Sequence, residues 1–246
     1  MDERLDQSEL DALWNFDDPI ASAHRFAQAA AEADRTEAER AELETQRARA
    51  LGLQHRFDEA DALLDSLEPA IGVLDVRIQL ERGRLRRSAG RREEAVSLFA
   101  EALARARRDG ELFLAVDAIH MLAIADPESS ESWTTEGLAE LAATNDPRTL
   151  RWAVSLHNNR GWTLIGEGDT AEALVEFVAA RDAASAVGTA DQLFWAEWSV
   201  GHALRLLGRD EEALGIQRRL LAERPEDPDV AAELAALTDV APTIEP

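Results

Sequence analysis

One pattern of small and aromatic residues recurs along this chain and restricts the folds that it can adopt. Three segments align without gaps: ERGRLRRSAGRREEAVSLFAEA, NRGWTLIGEGDTAEALVEFVAA and SVGHALRLLGRDEEALGIQRRL. The first two share Gly83, Gly90, Ala95, Phe99 and Ala102 with Gly161, Gly168, Ala173, Phe177 and Ala180, and the third keeps Gly201, Gly208 and Ala213. A Gly inside a helix costs up to about 1 kcal/mol relative to Ala, so the early Gly indicates close contact with a second helix. The later Gly predicts a turn, and the Phe is expected to fill the space between neighbouring helix pairs.

The rest of the chain is also typical of helices. Ala, Leu, Glu and Arg recur with the i, i+3, i+4, i+7 spacing of amphipathic helices about 12 to 18 residues long. Only 5% of the residues are aromatic, Tyr is absent, and runs of Val, Ile and Thr are lacking, so strands have little from which to form. We therefore predict an all-α fold.

The Gly, Gly, Ala, Phe, Ala pattern, with Pro225 after the last copy, resembles the tetratricopeptide repeat, a paired-helix unit of about 34 residues. Weaker copies contain Ala60 and, near the N-terminus, Ser22, Phe26 and Ala29, whereas His120 replaces the Gly in the middle of the chain. The resemblance implies a right-handed α-solenoid of five to six helix-turn-helix hairpins in a single domain, residues 1–240. The predicted repeats are 8–34, 37–68, 72–108, 111–145, 148–186 and 190–224, with a capping helix at 227–239 and a tail at 241–246.

Tetratricopeptide arrays generally bind peptides or partner proteins in a concave groove lined by the first helix of each hairpin. Placing those helices on a helical wheel predicts the following groove residues: Arg84, Arg87, Asp117, Met121, Asn158, Trp162, Trp195, Trp198, His202 and Arg205. Trp and Arg are the side chains most enriched at binding hot spots. The alternative is that the Trp side chains pack between helix layers, and the sequence leaves both interpretations open.

Charge is unevenly distributed along the chain. The formal net charge is −23, so we expect no nucleic-acid partner, yet residues 77–108 contain ten Arg and four acidic residues. This segment is suited to an acidic peptide or a C-terminal carboxylate. The alternative is a solvated face in which Glu81, Glu93, Glu94 and Glu101 pair with the arginines.

Several classes of function are disfavoured. The chain has no Cys, and all 26 basic residues are Arg, so thiolate metal sites, cysteine nucleophiles, Schiff-base lysines and P-loop lysines are excluded. The five His residues show no metal-binding spacing, so we expect no metal, no cofactor and no catalytic activity. The first thirteen residues carry six charges without an apolar run, and no segment is long enough to span a membrane, so we expect a cytoplasmic protein. Arg and Ala usage without Lys is typical of a GC-rich bacterial genome.

The leading hypothesis is a non-catalytic scaffold or adaptor that binds a protein or peptide segment along the groove. One alternative is a regulatory protein that senses a small ligand or a peptide. Another is a self-associating array, a homodimer for instance, in which the tryptophans are buried between copies.

Overall fold

The structure is a computed structural model that describes residue 5 and residues 7–239. The described residues form α-helices and one short 3-10 helix, without a β-strand, so the all-α prediction of helical hairpins is confirmed. The predicted tail at 241–246 lies outside the described residues. The chain divides into two compact units, Met1–Asp126 and Pro127–Pro246. This border falls inside the predicted hairpin at 111–145, and the single domain predicted for residues 1–240 stays a prediction.

In the first unit each helix packs against the next one along the chain. The third helix begins at a capping box, in which Thr36 and Glu39 each accept a hydrogen bond from the other's backbone N–H. The sixth helix ends at Gly110, whose φ of 75° is the left-handed conformation that Gly adopts without strain. The helices are α1 (Gln7–Leu13), α2 (Pro19–Ala30), α3 (Glu37–Leu53), α4 (Phe57–Asp65), α5 (Val73–Ser88), α6 (Arg92–Asp109) and α7 (Leu112–Ala125).

The contact between α5 and α6 explains the early Gly of the repeat. Phe99 is completely buried, and a Cβ added at Gly83 would lie 2.6 Å from its Cδ1 atom. Ala95 and Ala102, one turn to either side of Phe99, are also completely buried. The prediction that the Gly permits close helix contact is therefore confirmed for this pair.

The second unit begins with a 3-10 turn at Pro127–Ser129 and contains the two remaining copies of the repeat pattern. The α12 helix begins with another capping box, between Thr189 and Gln192. The α10 helix ends at Gly168, with a φ of 90°. The helices are α8 (Ser130–Leu141), α9 (Pro147–Leu150), α10 (Trp152–Glu167), α11 (Thr170–Val187), α12 (Ala190–Leu206), α13 (Asp210–Glu223) and α14 (Pro228–Asp239).

The Gly–Phe contact recurs between α10 and α11 and then changes in the last hairpin. A Cβ at Gly161 would lie 2.6 Å from Cδ1 of the fully buried Phe177. Between α12 and α13, Gly201 instead faces Gln217, which is also fully buried. The Gln217 Nε2 donates a long hydrogen bond of 3.4 Å to the Trp198 carbonyl, and its Oε1 has no donor among the described residues. A buried amide therefore replaces the aromatic ring in this copy.

Candidate functional site

In the first unit the predicted residue Arg84 lies between two carboxylates. Its Nη1 donates to Glu81 Oε1 at 2.6 Å, and its Nη2 donates to Asp117 Oδ1. The Arg84 side chain is only 11% exposed, and its Nε is buried without an acceptor among the described residues. Arg84 therefore joins α5 to α7 through Asp117, and each of its two terminal nitrogens donates to a carboxylate of the chain.

Burial and the neighbouring charges shift the pKa values of Asp117 and Arg84 in opposite directions. Burial raises the pKa of Asp117, but the charges of Arg84 and Arg49 and the hydrogen bond from Arg84 together more than offset this effect, so the pKa lies below its ordinary value. Burial lowers the pKa of Arg84, and Asp117 and Glu81 together reverse that shift and hold it above the ordinary value. Burial lowers the pKa of His120 from 6.5 to about 4, so this imidazole is neutral at neutral pH.

The other two predicted residues of this unit lie in different environments. Arg87 is exposed and forms no ion pair with a described residue, and its charge lowers the pKa of the nearby His120. Met121 is buried, at 7% exposure, in the apolar part of α7. Asp117 is also buried, at 5%. Of the four residues, Arg84 and Asp117 are brought together, Arg87 faces solvent, and Met121 belongs to the core.

Sequence reasoning missed Arg49, which lies beside this group on α3. Its charge interacts with Arg84, Glu81 and Asp117, and its guanidinium lies 5.3 Å from the ring centroids of both Trp14 and Phe16. The sequence did contain a signal for Arg49. Ala60 and Ala95 occupy the same position in consecutive repeats and are 35 residues apart, and the same distance separates Arg49 from Arg84. We call Arg49, Arg84, Arg87, Glu81 and Asp117 the arginine cluster.

Most other arginines of residues 77–108 are paired with carboxylates. Two ion pairs contain acidic partners that were predicted from the sequence: Arg91–Glu94 and Arg105–Glu101. Further ion pairs reach other helices or the loop that follows α4: Arg77–Glu42, Arg82–Asp65, Arg82–Glu68, Arg86–Asp61 and Arg105–Asp75. For most of this segment the structure supports the interpretation of an internally paired face.

In the second unit the predicted aromatic residues form one continuous group, which we call the tryptophan cluster: Trp162, Trp195, Trp198 and His202. The Trp162 ring lies 5.9 Å from Trp198 and 5.2 Å from His202, measured between centroids. His202 stacks on Trp198 at 5.3 Å, and Trp195 meets the edge of Trp198 at 6.0 Å. The structure therefore brings together four of the predicted residues, one from α10 and three from α12.

The rings of the cluster are exposed to different degrees. Trp195 is 39% exposed, whereas Trp162 and Trp198 are half-buried. Trp162 also packs against the core residue Phe177, at 5.1 Å between centroids. The two interpretations of these tryptophans are therefore not exclusive, because Trp162 and Trp198 each pack partly against the core and are partly at the surface.

His202 and Arg205 are engaged by the capping helix α14. His202 Nδ1 lies 2.8 Å from Glu233 Oε1, and Arg205 donates to both Glu233 oxygens, at 2.7 and 2.9 Å. Burial raises the pKa of Glu233, but the bonds from Arg205 and His202 more than offset it and lower the pKa below its ordinary value. Sequence reasoning missed Glu233, although it shares one helix face with the buried Val230 and Leu237.

Asn158, on α10, contacts α12, the helix that carries Trp195 and Trp198. Its Oδ1 accepts a hydrogen bond of 3.1 Å from Ser199 Oγ, so this side chain joins α10 to α12. Its amide nitrogen has no hydrogen-bond acceptor among the described residues. One end of Asn158 is therefore fixed and the other is available.

Two clefts open elsewhere on the described surface. One, of about 820 Å³, lies between α4, α5 and α6 and is lined mainly by carboxylates together with Arg82 and Arg86. The other, of about 490 Å³, has an apolar floor between α11, α12 and α13. Within residues 7–239, no group of three His, Asp or Glu side chains is placed to hold a metal ion. Over the same residues, no helix is both long and apolar enough to cross a membrane.

Comparison with known proteins agrees with the fold. A family model described as tetratricopeptide repeat matches residues 83–112. No curated protein matches the chain. Similar solved structures include BtubC (BKLC) from P. vanneervenii, which is 17% identical, with a TM-score of 0.61 over 95% of this chain and 96% of that one.

Two further structures are similar. A putative kinesin light chain from Podosopora anserina, with nearly identical TPR-like repeats, is 18% identical, with a TM-score of 0.53 over 80% of this chain and 95% of that one. The apo form of RapI is 11% identical, with a TM-score of 0.64 over 94% of this chain and 69% of that one. At these identities the likeness concerns the fold. Together with the matched repeat, it confirms the resemblance predicted from the sequence.

Proposed function

We propose that this chain, a tetratricopeptide-repeat protein by its matched repeat and its fold, binds a peptide or an extended protein segment as a non-catalytic cytoplasmic scaffold. The observation that carries the proposal is the tryptophan cluster. Two neighbouring helices, α10 and α12, present three indole rings, of which Trp198 contacts both Trp162 and Trp195, and Trp195 is 39% exposed. Rigid, half-buried tryptophans are the side chains that most often dominate the energy of binding a protein segment.

The surroundings of the cluster suit a peptide backbone. The amide nitrogen of Asn158, on the same helix as Trp162, is available to donate to a ligand carbonyl. Glu233 holds His202 and Arg205 in place, so these two side chains act as a fixed wall beside Trp198. Pre-organised side chains lose little conformational entropy when a ligand binds, which favours affinity.

In the first unit, Arg87 is the predicted contact residue that remains exposed. Arg84 and Asp117 are buried in their ion pair, and Met121 is buried in the core, so in this proposal all three support the surface and do not contact the ligand. Within this unit, we propose Arg87 as a separate contact for charged ligand residues.

Selection from a random twelve-residue peptide library on the purified chain tests the proposal. Enriched peptides are synthesised with a fluorescent label, and their affinity is measured by anisotropy against the wild type and Trp162→Ala/Trp198→Ala. Loss of two hot-spot rings should cost about 2 kcal/mol or more, which is a decrease in affinity of about thirtyfold. Circular dichroism establishes that the variant is folded.

Val175→Ala is the matched control, because Val175 is an exposed apolar residue of the same unit, at 67% exposure, outside the cluster. This variant should bind like the wild type. Light scattering establishes whether the chain is a monomer, since a dimer that buries Trp195 would make the cluster an interface between copies. Equal binding by the wild type and the tryptophan variant, or failure of any peptide to enrich on a monomeric chain, would contradict the proposal.

A further inference from the structure

The cleft of about 490 Å³ between α11, α12 and α13 has a floor of apolar side chains. They are Leu174, Val178, Val200, Leu204 and Ile216. Val200 and Leu204 are almost completely covered, at 3% and 4% exposure, whereas the other three are half-buried. Val200 and Leu204 follow Trp198 and His202 by two positions, and positions two apart on a helix point in nearly opposite directions. The cleft is therefore a separate surface from the tryptophan cluster.

The first unit has a cleft at the corresponding place in the repeat, between α4, α5 and α6, and its floor is charged. There, Arg82 pairs with Asp65 and Glu68, and Arg86 pairs with Asp61. Aligning Ala60 with Ala173 and Gly83 with Gly201 gives five pairs of equivalent positions: Asp61 and Leu174, Asp65 and Val178, Glu68 and Arg181, Arg82 and Val200, and Arg86 and Leu204. Apolar side chains thus replace both arginines and two of the three carboxylates in the second unit.

Gly215 also lines this apolar cleft, and the described part of the chain offers no packing reason for a Gly there. The residue lies within α13, where Gly weakens a helix relative to Ala. No described heavy atom lies within 4 Å of a Cβ added at Gly215, whereas a Cβ added at Gly83, Gly161 or Gly201 would meet a side chain. The absence of a side chain at Gly215 leaves the cleft open, so that the backbone of a ligand can approach α13 closely.

Arginines lie at both ends of the apolar floor. Arg209 immediately precedes α13, and Arg181 and Arg219 follow Val178 and Ile216 by three positions. Each arginine pairs with one carboxylate at the surface: Arg181 with Asp182, Arg209 with Glu212, and Arg219 with Glu197. Exposed pairs of this kind contribute little stability, so carboxylates of a ligand can replace them. On a chain with a net charge of −23, three arginines around one cleft favour an acidic ligand.

We propose that this cleft binds an amphipathic helix of a partner protein, with an apolar stripe against the floor and Asp or Glu at its ends. An apolar groove between helices is a usual docking site for such a helix. Arg209 and Arg219 are ten residues apart, which is about 15 Å along a helix axis. The ligand therefore needs about three turns, with apolar residues at i, i+3, i+4 and i+7 between the acidic ends. The inference goes beyond the proposed function, because it concerns a second surface and a helical ligand.

A library of helical peptides tests the inference. Peptides of about fourteen residues, a length of nearly four turns, carry Ala and Gln at fixed outer positions. The positions i, i+3, i+4 and i+7 and one position at each end are randomised. After selection on the purified chain, the enriched peptide is synthesised with a fluorescent label, and its affinity is measured by anisotropy. We expect apolar residues at the four inner positions and Asp or Glu at one end or both. Replacing the acidic residues by Lys should lower the affinity at least about tenfold.

Substitutions in the chain identify the cleft as the binding site. Gly215→Gln places a side chain in the cleft and should lower the affinity at least about tenfold. Because Gln is a better helix former than Gly, this loss would not result from unfolding. Ser97→Gln is the matched control, since Ser97 occupies the same repeat position in the charged cleft of the first unit, and it should bind like the wild type. Arg181→Gln/Arg219→Gln should lower the affinity about threefold or more, with a smaller effect at high salt.

Several results would overturn the inference. They are failure of any helical peptide to enrich, enrichment of basic ends, and equal binding by the wild type and Gly215→Gln. Light scattering adds another: a wild-type dimer that becomes a monomer in Gly215→Gln would show that a second copy of the chain covers the cleft.

Trp195→Ala distinguishes this cleft from the tryptophan cluster, because it removes the most exposed ring of that cluster. The selected helix should bind Trp195→Ala and the wild type equally. A helix that is lost by Trp195→Ala and retained by Gly215→Gln would contradict the inference and support the tryptophan cluster as the binding surface.

Discussion

Gly161→Ala should destabilise the chain, although Ala is the better helix former. A Cβ at this position would lie 2.6 Å from Cδ1 and 2.9 Å from Cζ of Phe177. The ring is fully buried between α10 and α11, with the buried Ala173 and Ala180 one turn to either side, so it has little room to move. Overpacking of this kind typically costs about 1–3 kcal/mol, and the helix propensity of Ala returns up to about 1 kcal/mol. We expect a net loss of up to about 2 kcal/mol in the free energy of unfolding.

Gly166→Ala is the matched control on the same helix. No heavy atom lies within 4 Å of a Cβ added there, so only the helix propensity changes. This variant should be more stable than the wild type by about 0.5–1 kcal/mol. Urea unfolding, followed by circular dichroism, measures both variants, and a Gly161→Ala chain as stable as Gly166→Ala would refute the reasoning.

A double variant identifies the ring as the cause. In Gly161→Ala/Phe177→Leu the new methyl group no longer meets an aromatic ring, so the double variant should lose less stability than the sum of the two single variants. Coupling of about 0.5–3 kcal/mol is usual for residues in contact. Strict additivity would show that the Gly161 penalty has another origin.

Three further predictions concern buried polar groups. Gln217→Phe should raise the free energy of unfolding, measured by urea titration, by about 1–3 kcal/mol. The substitution removes a buried Oε1 that has no donor among the described residues, and it restores the aromatic ring found in the other copies. A less stable variant would contradict this. As the pH decreases from 6.5 to about 4, the unfolded chain takes up a proton at His120 before the folded chain does. The free energy of unfolding of the wild type should therefore decrease more steeply over this range than that of His120→Gln. Parallel pH profiles of the two proteins would refute this prediction. Glu233→Gln removes the charge that pairs with His202 and Arg205, and should cost about 1–3 kcal/mol and speed hydrogen exchange of α14; unchanged exchange would speak against this role.

The helices and their contacts could be predicted because small residues determine how closely two helices approach. Gly83 and Gly161 each lie where a Cβ would meet a Phe ring, and this constraint is visible in the sequence as a fixed spacing. Gly110 and Gly168 end helices with positive φ, as expected for Gly at that position. Such features depend on residue size and backbone conformation, which the sequence records directly.

The side-chain pairings were harder to predict. A helical wheel gives the direction of Asp117 and Met121 but not how deeply the neighbouring helices cover them, and both are buried. Arg49 was missed because its hairpin was aligned through Ala60 alone, without extending that register to α3. Glu233 was missed because the capping helix lies outside the repeat, and nothing in the repeat register points to its contact with His202.

The most direct test of the central claim is ¹⁹F NMR of the chain labelled with 5-fluorotryptophan, recorded with and without a library-selected peptide. The chain has six tryptophans, so each ring reports separately on its surroundings. We predict that the resonances of Trp162, Trp195 and Trp198 shift with peptide concentration while that of Trp133 stays in place. A peptide that binds the chain while these three resonances remain unchanged would contradict the claim that the tryptophan cluster is the binding surface.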